Sequence, residues 1–158
     1  GCPESGEACL QRYRAWMDDY IRENGVPVKP GLRELLAWLK QAHILCAVAT
    51  STFTNVAIGY LKNAGVLNCF AAIVGGDQVT KSKPDPEIFQ IAMRALGKQT
   101  PETCVVFEDS RNGLLAGANG GFPVIVVPDL FDPTLELPGL CYAKCARLDE
   151  AIDVIQNS

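Results

Sequence analysis

The stretch CVVFEDSRNG, residues 104–113, decides how this chain is read. Cys104, Val105, Val106 and Phe107 form an apolar run that reads as a buried strand. The run ends abruptly in two adjacent carboxylates, Glu108 and Asp109, followed by Ser110 and Gly113. Side-by-side acids at a strand end repel each other by about a few kcal/mol at an effective dielectric of about 20. The fold must therefore bring cations or hydrogen-bond donors to them.

Three further apolar runs, 44–49, 70–74 and 124–127, resemble the first, and a weaker one at 142–145 suits a short edge strand. None of the four stronger runs alternates in polarity, so each of these is expected to be covered on both faces, as in a parallel sheet. Helical patterns fall between them. Leu32, Leu35, Leu36 and Leu39 share one face after Pro30-Gly31, and Phe53, Val56, Ala57, Tyr60, Leu61 and Ala64 share another, with Ser51 and Thr52 as candidate caps. Asp85-Pro86 opens a third helix that runs through Leu96, with Gly97 after its end. Ser110 caps a fourth, ended by Gly120-Gly121, and Leu148, Ala151, Ile152 and Ile155 mark a last one. Strands alternating with helices predict an α/β fold: a three-layer, Rossmann-like parallel sheet with right-handed crossovers.

Residues 1–24 differ. Leu10, Tyr13, Met17, Tyr20 and Ile21 mark an amphipathic helix, followed by the Pro/Gly-rich connector GVPVKPG, residues 25–31. This predicts a separate helical element joined to a core spanning 25–158. Trp16 and Trp38 are expected to pack.

The 158 residues are 48% hydrophobic, enough for one domain with a substantial core. A net charge of −4 argues against a nucleic-acid footprint. No apolar run reaches the roughly 20 residues that span a bilayer, and residues 1–6 are polar with no signal-like run after them. Seven scattered cysteines without a CxxC pair, and a single histidine, speak against structural zinc and for a reduced, cytoplasmic protein. His43 lacks a partner in the pattern and reads as a structural or surface residue.

In open parallel sheets, ligands bind beyond the carboxyl ends of the strands. The first strand delivers Thr50-Ser51-Thr52, hydroxyls and N–H groups that suit a phosphate or simply cap a helix. After the second strand comes TKSKPDPEIF, residues 80–89, where Lys83 precedes Pro84 and can present a point charge to phosphate, with Lys81 as a more ordinary neighbour. The third delivers Glu108 and Asp109, hard oxygen donors of the kind that bind Mg²⁺ together with phosphate oxygens. Each alone has a bland reading, but the three together form one phosphate-and-metal constellation.

These residues resemble the haloacid dehalogenase superfamily, in its β-phosphoglucomutase-like, capped phosphatase branch. AVATST (47–52) is similar to the second family motif, SKPDPEIF (82–89) to the third and VFEDSRNG (106–113) to the fourth. GVPVKPGLRELLAWLK (25–40) resembles the segment returning from cap to core. The resemblance implies that the Thr50 hydroxyl and Ser51 N–H bind the transferring phosphoryl group and that Lys83 neutralises its charge. Asp109 would ligate Mg²⁺, with Glu108 as a second or water-mediated ligand. It implies a small phosphorylated metabolite as substrate, a phosphomonoester or sugar phosphate, without choosing between phosphatase and phosphomutase.

The family's nucleophile lies in a DxDG motif at the end of a first strand, and these 158 residues contain none. Asp18-Asp19 has the wrong spacing, and Asp129 and Asp132 follow the fourth visible strand. The expectation is a fragment lacking its nucleophile, with residues 1–24 as the last helix of a helical cap. In the family the first strand lies between those ending at Thr50 and Phe107, so these two are expected to flank a gap or to have re-paired. The alternative is a catalytically inactive binding module of the same fold. A phosphoacceptor signalling domain would carry its acids before its hydroxyl and lysine. GANGG (117–121) leaves a helix and enters a strand, which suits a helix end rather than a dinucleotide loop.

Overall fold

The computed structural model describes residues 6–158. Cys2 and the first five residues of the expected cap helix lie outside the described residues. The five expected strands are present, each shorter than its apolar run: β1 (Ala47–Ala49), β2 (Ala72–Val74), β3 (Val106–Glu108), β4 (Val124–Val126) and β5 (Ala143–Lys144). Six α-helices accompany them: α1 (Gly6–Asn24), α2 (Leu32–Gln41), α3 (Thr54–Asn63), α4 (Glu87–Ala95), α5 (Arg111–Asn119) and α6 (Ala151–Gln156). All strand pairs are parallel, and helices cover both faces.

The helices start and stop for local reasons, with two larger departures from the sequence reading. Ser110 caps α5 by accepting from Gly113 N at 3.0 Å. Asp85 accepts from Glu87 N at 3.0 Å, but the N-cap position is Pro86 and α4 begins at Glu87, one residue later than the expected Asp85 cap with Pro86 as first helical residue. Gly97, with φ +72°, takes the left-handed turn that ends α4. The first departure is α3, which starts at Thr54 rather than after Ser51 or Thr52. Its cap comes from another loop, where Asp77 Oδ1 accepts from Thr54 N at 2.6 Å and Thr54 Oγ1 at 2.8 Å. The second is Trp16, which is not packed. With Tyr13 and Tyr20 it forms a tilted aromatic row along α1, centroids 6.3 and 5.7 Å apart, and all three are exposed. Periodicity gave α1 an apolar stripe but not a surface to cover it.

The core has two halves, one on each face of the sheet. On one face α4 and α5 press Ile88, Phe89, Met93 and Leu114 against Val74, Val106, Val124 and Val126. On the other, Leu35 and Leu39 of α2 and Ala151 of α6 meet Ile125, Val127 and Leu148. β4 is buried throughout, as a strand inside a parallel sheet should be.

The sheet itself is split. Among the described residues β1 pairs only with β2, and β3 pairs with β4, which pairs with β5. Alternate residues of a parallel strand bond to each neighbour. Thr50 N and Cys46 O of the first strand turn toward β2, so Ala47 and Ala49 turn their N–H and C=O groups away from it. On the other side Val106 N and Glu108 O turn toward β4, which leaves Val105 and Phe107 facing outward. A cavity of about 1390 Å³ lies between the two edges and is lined from both, with Leu35, Leu39, Phe89 and Met93 on its walls. β1 and β3 accordingly keep partial exposure where β4 has none. Of the two expected outcomes, a gap or a re-paired sheet, the chain adopts the gap.

Leu114 and Leu130 give the clearest contrast in burial, 0% against 102% exposed. Leu114→Ala should lose about 2–5 kcal/mol in urea denaturation, whereas Leu130→Ala should change stability by less than about 0.5 kcal/mol.

Candidate active site

Glu108 ends β3, and its side chain folds back over the first turn of α5. Ser110 Oγ donates to its Oε2 at 3.0 Å, and Asp109 N donates to the same oxygen at 3.3 Å. Only glycine fits beneath it: a Cβ at Gly113 would sit 1.9 Å from Glu108 Cδ. Its other oxygen pairs with the Lys83 ammonium. Both side chains are nearly buried, 12% exposed for Lys83 and 8% for Glu108. Lys83 also donates to Ala49 O at 3.3 Å and lies 4.7 Å from the centre of the Phe89 ring. One ammonium thus touches the ends of β1 and β3, across the mouth of the gap.

The loop that carries Lys83 is held by a carboxylate downstream of it. Glu87 accepts from Thr80 N at 3.1 Å, Thr80 Oγ1 at 2.9 Å and Lys81 N at 2.7 Å. Asn119 Nδ2 of α5 fixes the same loop by donating to Pro84 O at 3.1 Å. The Thr80 and Lys81 N–H groups hold the Glu87 carboxyl below its ordinary pKa, and Thr54 N–H does the same to Asp77. A depressed folded-state pKa means that these bonds add their full stability above the ordinary carboxylate range. They lose it as pH falls through the folded-state value. Lys81, by contrast, is exposed and pairs with Asp85 at 3.8 Å.

Thr50 and Ser51 stand at the end of β1 on the same cavity. Thr50 Oγ1 accepts from Thr52 N at 3.1 Å, a local turn that leaves its O–H free to donate. The turn is locked to the loop after β2 by Gly76 N donating to Thr52 O at 2.9 Å. Gly76 has to be glycine, because a Cβ there would lie 2.4 Å from Ser51 O. The structure therefore brings Thr50, Ser51, Lys83, Glu108 and Asp109 to one end of one cavity.

Lys29, which the sequence reading did not single out, and Asp129, which it set aside as a nucleophile, adjoin the cluster. Lys29 Nζ lies 3.3 Å from Asp109 Oδ2 and 3.5 Å from Asp129 Oδ2. Lys29 belongs to the connector before α2, and Asp129 follows β4; the sequence carries no local sign that they meet Asp109. Each acid of the Glu108-Asp109 pair is therefore matched to its own lysine. No group of three or more His, Cys, Asp or Glu side chains is placed to hold a metal among the described residues. The donor set nevertheless fits Mg²⁺, which binds through one or two carboxylates and takes the rest of its shell from water and phosphate. Gly113 leaves the space in which the Glu108 side chain lies, with Oε1 on Lys83 and Oε2 on Ser110, next in the chain to Asp109.

The haloacid dehalogenase-like hydrolase family model matches residues 3–121. The phosphorylated carbohydrates phosphatase of Thermotoga maritima is 41% identical over 103 residues, covering 65% of this chain and 45% of that protein. Protein CbbY of Cereibacter sphaeroides is 37% identical over 122 residues, 75% of this chain and 53% of its own length. The chain thus spans about half the length of these curated relatives. Among solved structures, a Thermotoga maritima protein classed as a β-phosphoglucomutase superimposes with TM-score 0.81 at 31% identity, over 98% of this chain and 71% of that one. CbbY from Rhodobacter sphaeroides in complex with phosphate gives 0.75 at 32% identity, over 84% and 60%.

The near-burial of Lys83 and Glu108 sets a measurable expectation. Lys83→Met strands a buried carboxylate and should cost about 3–5 kcal/mol in urea titration at pH 7. Combining it with Glu108→Leu should recover most of that loss, since an apolar pair replaces an ionic one.

Proposed function

The chain belongs to the haloacid dehalogenase-like hydrolases, and from that premise we propose that it carries the phosphate-and-metal half of a Mg²⁺-dependent phosphoryl-transfer site. The substrate is a small phosphomonoester or sugar phosphate, and the reaction is that of a phosphatase or phosphomutase. The observation that carries this reading is the Lys83 ammonium, held between Ala49 O and the Glu108 carboxylate at the mouth of the cavity. A phosphate entering there meets the Lys83 charge, the free Thr50 O–H and the Ser51 N–H together. Glu108 and Asp109 would hold Mg²⁺, which when bound neutralises charge on the transferring phosphoryl group. Sugar phosphates are favoured because the matched Thermotoga maritima relative is a phosphorylated carbohydrates phosphatase.

The nucleophile is the part these residues do not supply. In this proposal an aspartate arrives on a strand that occupies the gap between β1 and β3. Both edges offer unpaired backbone groups, the walls are apolar, and a strand of about five residues is of ordinary length. Its carboxyl end would emerge beside Thr50, Lys83 and Asp109, where an attacking carboxylate is needed. Residues 1–24 are read as the last helix of a cap and 25–158 as the core. The exposed row of Tyr13, Trp16 and Tyr20 on α1 supports that division, since such a face suits further cap helices. A cytoplasmic location belongs to the same reading.

A synthetic apolar strand ending in Asp-x-Asp-Gly tests the proposal. Mixed with the chain and Mg²⁺, it should confer release of inorganic phosphate from an aryl phosphate, and the same peptide with Asn for its first Asp should not. The chain by itself should not turn over. Robust turnover without the peptide, abolished by Asp109→Asn, would contradict the reading and require a nucleophile within these residues.

A further inference from the structure

We propose that Lys29 is a resident counter-ion which a divalent metal must displace from Asp109, so that this lysine sets the metal affinity of the site. The inference rests on the reading of Glu108 and Asp109 as the metal carboxylates. Its geometry is that of one ammonium shared by two acids, 3.3 Å from Asp109 Oδ2 and 3.5 Å from Asp129 Oδ2. Glu108 is already matched by Lys83, so Lys29 is the cation that faces Asp109.

The position of Lys29 is built into the core. Leu32 N donates to Lys29 O at 3.2 Å, and Leu148 N donates to Pro30 O at 3.0 Å, tying the connector to α2 and to the segment before α6. Gly31, with φ +82°, packs so closely on Asp149 that a Cβ would lie 2.5 Å from its backbone N. The side chain therefore springs from a fixed point, and at 28% exposure it is only partly solvated.

An ammonium and a divalent cation repel each other more strongly than two unit charges at the same separation. They cannot share a carboxylate oxygen without loss, so the metal enters as the ammonium leaves. Asp129 gives the displaced lysine a second partner within reach, which makes the exchange reversible without leaving the charge unpaired. Lys29 thus keeps Asp109 neutralised and oriented until metal and substrate arrive. It makes occupancy of the site depend on the divalent cation concentration.

Binding of Mn²⁺, as a probe for Mg²⁺, is measured from the free-ion electron paramagnetic resonance signal in the 158-residue chain and its variants. Lys29→Met and Lys29→Gln should each bind about threefold to tenfold more tightly than the parent chain. Lys62→Met, which removes the same charge from the exposed side of α3, should change affinity by less than about twofold. Lys29→Arg, which keeps the charge, should stay close to the parent. The proposal is overturned if neither neutral variant binds more tightly than Lys62→Met, or if no protein in the series binds Mn²⁺ measurably. Asp109→Asn separates the two levels. If it abolishes binding while the Lys29 variants change nothing, the counter-ion role alone fails. If it leaves binding intact, the metal assignment fails and takes the Lys29 proposal with it.

Discussion

The pairing of Lys83 with Glu108 is the interaction on which the rest of the site depends. It spans the mouth of a gap that no backbone hydrogen bond crosses among the described residues, joining the end of β1 to the end of β3. A nearly buried ion pair stabilises a fold only when its remaining donors and acceptors are satisfied. Here Ser110 Oγ and Asp109 N serve the carboxylate, and Ala49 O and the Phe89 ring serve the ammonium. The glycine at 113 is a consequence of the same pair, because the folded-back Glu108 occupies the space a side chain would need.

A second tier of carboxylates holds the backbone that presents these groups. Asp77 ties the loop after β2 to the start of α3, and Glu87 closes the loop before α4 on itself. Neither lines the cavity, yet they fix the loops that bear Thr50-Ser51 and Lys83. The result is a site whose charges are paired internally: Lys83 with Glu108, and Lys29 with Asp109 and Asp129.

Much of this was legible in the sequence, for identifiable reasons. Four unalternating apolar runs and a weaker fifth marked the strands, Ser110 marked a helix start that the structure keeps, and Asp85 marked one to within a residue. Thr50, Lys83 and the acid pair could be located because each follows its own strand. Contacts between distant segments were not legible. Asp77 caps a helix 23 residues before it, and Lys29 reaches Asp109 from a connector whose Pro/Gly pattern marks a turn but not a partner. Trp16 on α1 was misjudged because periodicity reports which residues share a face, not whether anything covers it. Strand ends were overextended for a related reason. Ile44, Leu45 and Val105 are apolar but lie beyond the paired segments and stay exposed.

The central claim is that the sheet is interrupted between β1 and β3, leaving a strand-wide gap at the candidate site. Native-state amide hydrogen exchange tests it most directly, because protection follows backbone pairing. The account predicts slow exchange at Val126, inside the paired β3–β4–β5 sheet, and fast exchange at Ala47, Ala49 and Phe107, whose N–H groups face the gap. Equal protection of Ala49, Phe107 and Val126 would mean that the two edges are joined and would contradict it.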